Sequence, residues 1–141
     1  MQALSPQYLA EIGRQLAFLS AFLGGFAATF LATLLTSSAS HRNVGWAAGS
    51  AAVAAAAFVV AVIAATMLAV VLSPGAPAGI SLGTGINRAR VVSAIGFIVG
   101  IYAMLLSLAL SGWIRSRRLG IATSAAAALA AAVVTWAVAG F

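Results

Sequence analysis

The stretch Phe18–Leu35, "FLSAFLGGFAATFLATLL", holds eighteen residues and no charged side chain. A charge-free apolar run of this length is typical of a helix that crosses a lipid bilayer. Within it phenylalanine returns at every fourth position, at Phe18, Phe22, Phe26 and Phe30. Because four residues only slightly exceed one helical turn, the helix carries its phenylalanines and its small residues on separate stripes. Lipid contact alone does not require such sorting, so the stripes indicate contact between helices.

The composition extends this interpretation to the whole chain. Its 141 residues are 64% hydrophobic and 6% charged, whereas soluble domains average about 25% charged. All seven basic residues are arginine, and Glu11 is the one acidic residue. The high pI does not indicate nucleic acid, because the arginines are few and sit at segment ends beside lipid headgroups. Arginine without lysine, in an Ala- and Gly-rich chain, favours a bacterial inner membrane protein.

The predicted fold is an all-α, integral membrane four-helix bundle, oligomeric, in a single transmembrane domain over residues 1–141. The predicted spans cover approximately 16–36, 44–73, 88–114 and 119–140. The first helix is expected to start before its apolar run, because Ser5 and Pro6 suit an N-cap and a first helical position. The short connections "SSASHRN" and "RSRR" predict helical hairpins, and the middle connection is longer and rich in Pro and Gly.

Residues able to carry chemistry are almost absent from these spans. They contain no acid, histidine or lysine, and the chain has no cysteine. Acid–base catalysis, metal binding and proton relays need such groups, so we expect no enzyme, cofactor or metal site. His41 falls in a loop, where we expect it to be solvated. Tyr102, near the middle of the third span, is expected to bond a neighbouring helix, with a place in a polar path as the alternative.

The charged residues suit the membrane surfaces. Five arginines are predicted to contact lipid headgroups: Arg88, Arg90, Arg115, Arg117 and Arg118. Glu11 and Arg14 are three residues apart on one helical face and are predicted to pair. Two interpretations of this pair stay open: an interfacial ion pair, or a charged ring at the mouth of a pore. Three arginines on one side against four on the other give almost no orientation bias under the positive-inside rule.

The small residues of the first span predict close helix packing. Ala21, Gly24, Gly25 and Ala28 lie on adjacent stripes where backbones can approach one another. They suit either tight packing inside the bundle or contacts between subunits. Since four packed helices leave no interior path for a solute, any transport role requires an oligomer or a partner.

The third span, "AIGFIVGIYAMLLSLALSGWIRS", resembles the third helix of the Orai calcium-release-activated channels. The similarity rests on Gly100, Leu105, Leu110 and the closing Trp113-Ile114-Arg115. The second span shares Val60-Ala61-Val62 and a terminal Pro74 with that family, with a slip of one residue.

The first span resembles the pore helix of the same family at "LGGFA", Leu23–Ala27. The resemblance places Arg14 on a basic position below the gate and Phe26 on the gate phenylalanine. It implies six such helices around an axis. Thr33 and Ser107 stand where the family has acidic residues, and Phe18 stands at an upper basic position, so the resemblance implies no calcium filter.

Two functions follow as hypotheses. The first is an oligomeric, channel-like pore built around helix one, lined by Arg14, Phe18, Phe22, Phe26, Thr29 and Thr33. In it the phenylalanines form hydrophobic constrictions that gate by dewetting. The second is a non-catalytic accessory subunit that packs against a larger membrane complex. A pore must form closed homo-oligomers, whereas an accessory subunit is expected to be monomeric without its partner.

Overall fold

The computed structural model describes residues 6–36, 42–73 and 84–139. Four helices occupy nearly all of them: α1 Pro6–Thr36, α2 Arg42–Val71, α3 Thr84–Arg115 and α4 Arg117–Ala139. Each contains an apolar segment of 21 to 30 residues. At 1.5 Å per residue, each segment is long enough to cross a hydrocarbon layer of about 30 Å. The prediction of an all-α, four-span helical bundle is therefore confirmed, with the helices packed side by side.

Most helix ends fall close to the predicted spans. Pro6 is the first residue of α1, well before the apolar run, as expected for proline at a first helical position. The third helix begins at Thr84, four residues before the predicted start at 88. Ser5, His41 and Pro74 lie outside the described residues.

The connection between α3 and α4 is shorter than the "RSRR" loop of the sequence interpretation. Ser116 is the one non-helical residue between the two helices. Its hydroxyl accepts a hydrogen bond from the Leu119 N–H at 3.2 Å, and its carbonyl accepts one from the Gly120 N–H at 2.9 Å. A serine cap thus starts α4 at once, and Arg117 and Arg118 form its first turn.

Two glycines let α3 and α4 pack closely beside this cap. A methyl group at Gly120 would lie 2.6 Å from the Trp113 ring, and one at Gly112 would lie 2.8 Å from the Leu119 carbonyl oxygen. The Trp113 indole N–H also donates to the Ser124 hydroxyl at 3.0 Å. Neither glycine position therefore has room for a side chain.

The helices pack in chain order, and extensive contact joins only consecutive helices: α1 with α2, α2 with α3, and α3 with α4. The two central helices are covered on both sides, whereas α1 and α4 each bury one face. The Tyr102 hydroxyl shares a 2.5 Å hydrogen bond with the Thr135 hydroxyl of α4. This contact confirms the expectation that Tyr102 bonds a neighbouring helix.

The buried surface of α2 consists largely of alanine, which brings neighbouring backbones very close. Its buried alanines are Ala47, Ala48, Ala51, Ala54, Ala61, Ala64, Ala65 and Ala69. A methyl group at Gly13 of α1 would lie 3.2 Å from the Ala65 carbonyl oxygen, and one at Gly96 of α3 would lie 3.1 Å from that of Ala57. Such close approach maximises dispersion contacts, which replace the missing hydrophobic drive between helices in lipid.

Phe58 is the one large, fully buried side chain of the described residues, with 1% of its surface exposed. Its ring covers Gly100 of α3 and meets the Phe97 ring edge-on, with centroids 6.2 Å apart. On the other side, its Cβ lies 3.2 Å from the point where a Gly24 methyl group would stand. Phe58 therefore joins α1, α2 and α3 at the centre of the bundle.

Candidate functional site: the outer face of α1

One side of α1 packs against α2. Its buried residues are Ala10, Gly13, Ser20, Ala27 and Leu34. Four of them, from Gly13 onward, repeat every seven residues, which keeps one face of the helix turned toward the partner helix. The opposite side of α1 meets no other described helix.

All six residues predicted to line a pore lie on this opposite side. Arg14, Phe18, Phe22, Phe26, Thr29 and Thr33 are exposed in the single chain, and we call them the outer face of α1. The phenylalanine exposures are 73% for Phe18, 69% for Phe22 and 52% for Phe26. Phe30 is half-buried and packs against the cluster around Leu34. The outer face therefore carries a basic end, an aromatic middle and a hydroxyl end.

The threonines of the outer face bond their own helix. The Thr29 hydroxyl donates to the Gly25 carbonyl and the Thr33 hydroxyl to the Thr29 carbonyl, both at 2.9 Å. Each hydroxyl proton is thus used inside α1, while the oxygen keeps lone pairs for water. The threonines tolerate lipid and can also line a wet surface.

At the other end of this face, Glu11 and Arg14 form the predicted ion pair. The Arg14 Nη1 atom lies 3.8 Å from the Glu11 Oε2 atom, and both side chains are more than half exposed. Gln15 donates to the Glu11 carboxylate at 3.5 Å. The pair belongs to one exposed helix surface near the start of α1, so it is weak in water and screened by salt.

The four predicted packing residues divide into two groups. Gly24 is half-buried and packs against Phe58 of its own chain. Ala21, Gly25 and Ala28 are exposed, and a methyl group at Gly25 would meet no described neighbour within 4 Å. Glycine costs about 1 kcal/mol relative to alanine inside a helix. Nothing within the described chain explains glycine at position 25.

A groove between α1 and α2 opens beside these exposed small residues. Its volume is about 150 Å³, and its walls are Ser20, Ala21, Gly24, Gly25, Val59, Val62 and Ile63. Ser20 is fully buried at the groove, and its hydroxyl oxygen makes no hydrogen bond with any described atom. Such unpaired buried hydroxyls are uncommon, because each costs about 1–3 kcal/mol.

The sequence alone does not indicate the groove, the buried Ser20 or the central position of Phe58. A serine in an apolar helix usually bonds the carbonyl four residues earlier, so sequence gives no sign that Ser20 lacks such a partner. Ser107, at an acidic position of the Orai resemblance, is also fully buried, and its hydroxyl donates to the Ala47 carbonyl at 2.8 Å. In this chain Ser107 joins α3 to α2.

The predicted headgroup arginines lie at helix ends. Arg88 and Arg90 are exposed in the first turns of α3, and Arg117 and Arg118 are exposed at the start of α4. Arg115 is the last residue of α3. The two groups lie at opposite ends of α3, as the prediction of lipid-headgroup contact at the two membrane surfaces requires.

Four apolar helices of membrane-spanning length define an integral membrane protein in contact with the lipid bilayer. Comparisons with family models, with characterised proteins and with solved structures gave no match to this chain.

Proposed function

We propose that copies of this chain assemble around α1 into a channel-like membrane pore that passes ions without a calcium filter. The observation that carries this proposal is the outer face of α1. It is a continuous exposed surface, opposite α2, on which charge, aromatic rings and hydroxyls follow one another along the helix axis. The Orai resemblance of the first and third spans supports the same arrangement. The composition favours a bacterial inner membrane as its location.

In such a pore the rings of Phe18 and Phe22, the two most exposed phenylalanines of the outer face, form the dry section. A narrow apolar ring excludes water, and one polar ring is enough to wet it. Thr29 and Thr33 form a wider hydroxyl section above, and Arg14 places positive charge at the opposite mouth. With threonine rather than an acid at position 33, the pore has no carboxylate ring to concentrate divalent cations.

The test combines mass and conduction. We expect the purified protein in detergent or nanodiscs to have the mass of a closed homo-oligomer. Phe22→Ser is expected to raise ion leak in reconstituted vesicles, because Phe22 points away from α2. Phe30→Ser is the matched control, since Phe30 packs inside its own bundle. A pure oligomer that passes no ions, with or without Phe22→Ser, contradicts the pore.

A different surface favours the accessory-subunit function. Gly45 and Gly49 on α2 are exposed, four residues apart, and a methyl group at either would meet no described neighbour within 4 Å. Two glycines at this spacing suit close packing of another transmembrane helix. A monomer in detergent that is captured by a larger membrane complex through this α2 surface supports the accessory function.

A further inference from the structure

We propose that neighbouring copies meet head to tail, with Phe26 of one α1 inserted into the α1–α2 groove of the next copy. This inference rests on the proposed homo-oligomer and identifies its subunit contact. The residues that receive Phe26 are Ala21, Gly24, Gly25 and Ala28, which we call the small flank.

The two surfaces lie on opposite flanks of the same helix. At 100° per residue, Phe26 is rotated about 80° from Phe18 in one direction, and Ala28 about 80° in the other. The small flank has the spacing i, i+3, i+4 and i+7, which is the four-residue hole that receives a knob in coiled-coil packing. Helical side chains lean toward the N-terminus, so the Phe26 ring lies at the height of Gly25. In a parallel neighbour, knob and hole are therefore at the same depth.

The size and chemistry of the groove favour an aromatic ring as occupant. Its volume of about 150 Å³ matches a cavity size that is known to bind benzene. Ser20 contributes a buried hydroxyl with no partner among the described residues. The face of an aromatic ring carries negative charge and attracts that hydroxyl proton, which a lipid tail leaves unpaired.

Charge at the start of α1 selects the same parallel arrangement. Arg14 is rotated about 40° from Phe18 toward the small flank, whereas Glu11 is rotated about 20° and Gln15 about 60° toward Phe26. A parallel neighbour thus brings the acid and amide of one copy to the arginine of the next. An antiparallel neighbour brings Arg14 to the uncharged end of α1, Thr33–Thr36.

Head-to-tail contacts use two different surfaces of each copy. They propagate from copy to copy until the rotation closes a ring. In that ring Phe18 and Phe22 face the axis, and Phe26 fills the boundary between subunits. The separate stripes of phenylalanine and small residues then have a structural explanation: the phenylalanine stripe supplies the knob, Phe26, and the small stripe supplies the hole, the small flank.

Cysteine cross-linking tests this contact, because the natural chain contains no cysteine. Phe26→Cys and Gly25→Cys chains with different tags are co-expressed, and the membranes are treated with a mild oxidant. We expect a mixed disulfide between the two tags at several times the yield of either variant alone. The matched control is Phe26→Cys with Gly49→Cys, which places an equally open cysteine on α2 and is expected to give no mixed disulfide.

A second pair of variants tests the charge contact. Glu11→Arg in the cysteine chains is expected to lower the mixed-disulfide yield, and Arg14→Glu added to the same chains is expected to restore it.

The outcomes separate the contact from the pore. An oligomer of unchanged mass that conducts ions but gives no mixed disulfide overturns the head-to-tail contact alone. Strong cross-linking by Gly25→Cys alone indicates small flanks packed on each other and also overturns it. A monomeric mass overturns both the contact and the proposed pore.

Discussion

Gly100→Ala tests the packing at the centre of the bundle. The added methyl carbon would lie 2.7, 2.8 and 2.9 Å from three carbons of the Phe58 ring. Carbon atoms in good contact are about 3.5–4.0 Å apart, so the ring or α3 must move by close to 1 Å. Phe58 has no room for this, because it is 1% exposed and its ring meets Phe97.

The size of the effect follows from two opposing contributions. Overpacking of a full core costs about 1–3 kcal/mol, while alanine in place of glycine adds about 1 kcal/mol of helix propensity. The contacts of 2.7 to 2.9 Å place the overpacking cost near the upper end of its range, so we expect Gly100→Ala to lower the free energy of unfolding by about 2 kcal/mol, the difference between about 3 and about 1 kcal/mol. The measurement is reversible unfolding in detergent, followed by the fluorescence of the three tryptophans.

A double-mutant cycle isolates the cause. Phe58→Leu alone is expected to destabilise the bundle by leaving a cavity, and to remove most of the added cost of Gly100→Ala when the two are combined. Gly49→Ala is the matched control, because its methyl group meets no described neighbour within 4 Å and position 49 lies outside the proposed subunit contact. Gly100→Ala that is as stable as the unsubstituted protein, or additive with Phe58→Leu, would refute the contact as the cause.

Three further predictions concern assembly, selectivity and orientation. Gly25→Leu is expected to break the oligomer while the chain stays helical, whereas Gly24→Leu is expected to disturb the packing of the bundle itself through Phe58. Mass in detergent and circular dichroism distinguish the two effects. A Gly25→Leu oligomer of unchanged mass contradicts the small-flank contact. Thr33→Glu is expected to shift ion preference toward divalent cations in vesicle flux, because it adds a ring of carboxylates; unchanged preference places position 33 away from the ion path. Replacing Arg117 and Arg118 by serine is expected to change which side a C-terminal reporter occupies, and a reporter that stays in place shows that other features fix the orientation.

The membrane fold could be predicted because the hydropathy of the sequence alone determines the number and the limits of the spans. Four charge-poor runs of sufficient length leave helices as the natural way to satisfy the backbone in lipid. Proline at the first helical position gave the start of α1. The sequence predicts a loop that is too long at "RSRR", because charged residues are typical of a connection between membrane helices. The Ser116 cap instead allows Arg117 and Arg118 to lie in the first turn of α4.

The neighbours of each helix could not be predicted in the same way. In a soluble helix the polar face marks the outside, but a membrane helix is apolar all round, so burial leaves no such pattern. Gly24 and Gly25 are adjacent and chemically identical, yet the first packs on Phe58 and the second stands open. Similarly, Phe58 is buried while Phe18 and Phe22 are exposed, and only the packing of α2 between α1 and α3 distinguishes them.

The single-residue link at Ser116 has a consequence for how the chain is made. One residue extends at most about 3.6 Å, so the end of α3 and the start of α4 must lie side by side at the same membrane surface once both helices are inserted. We expect α3 and α4 to stay together during synthesis until the Ser116 link has formed, and the insertion machinery to release the two helices into the bilayer as one hairpin. The orientation of α3 in the membrane would then determine that of α4. A state in which only one of the two helices is inserted would be short-lived.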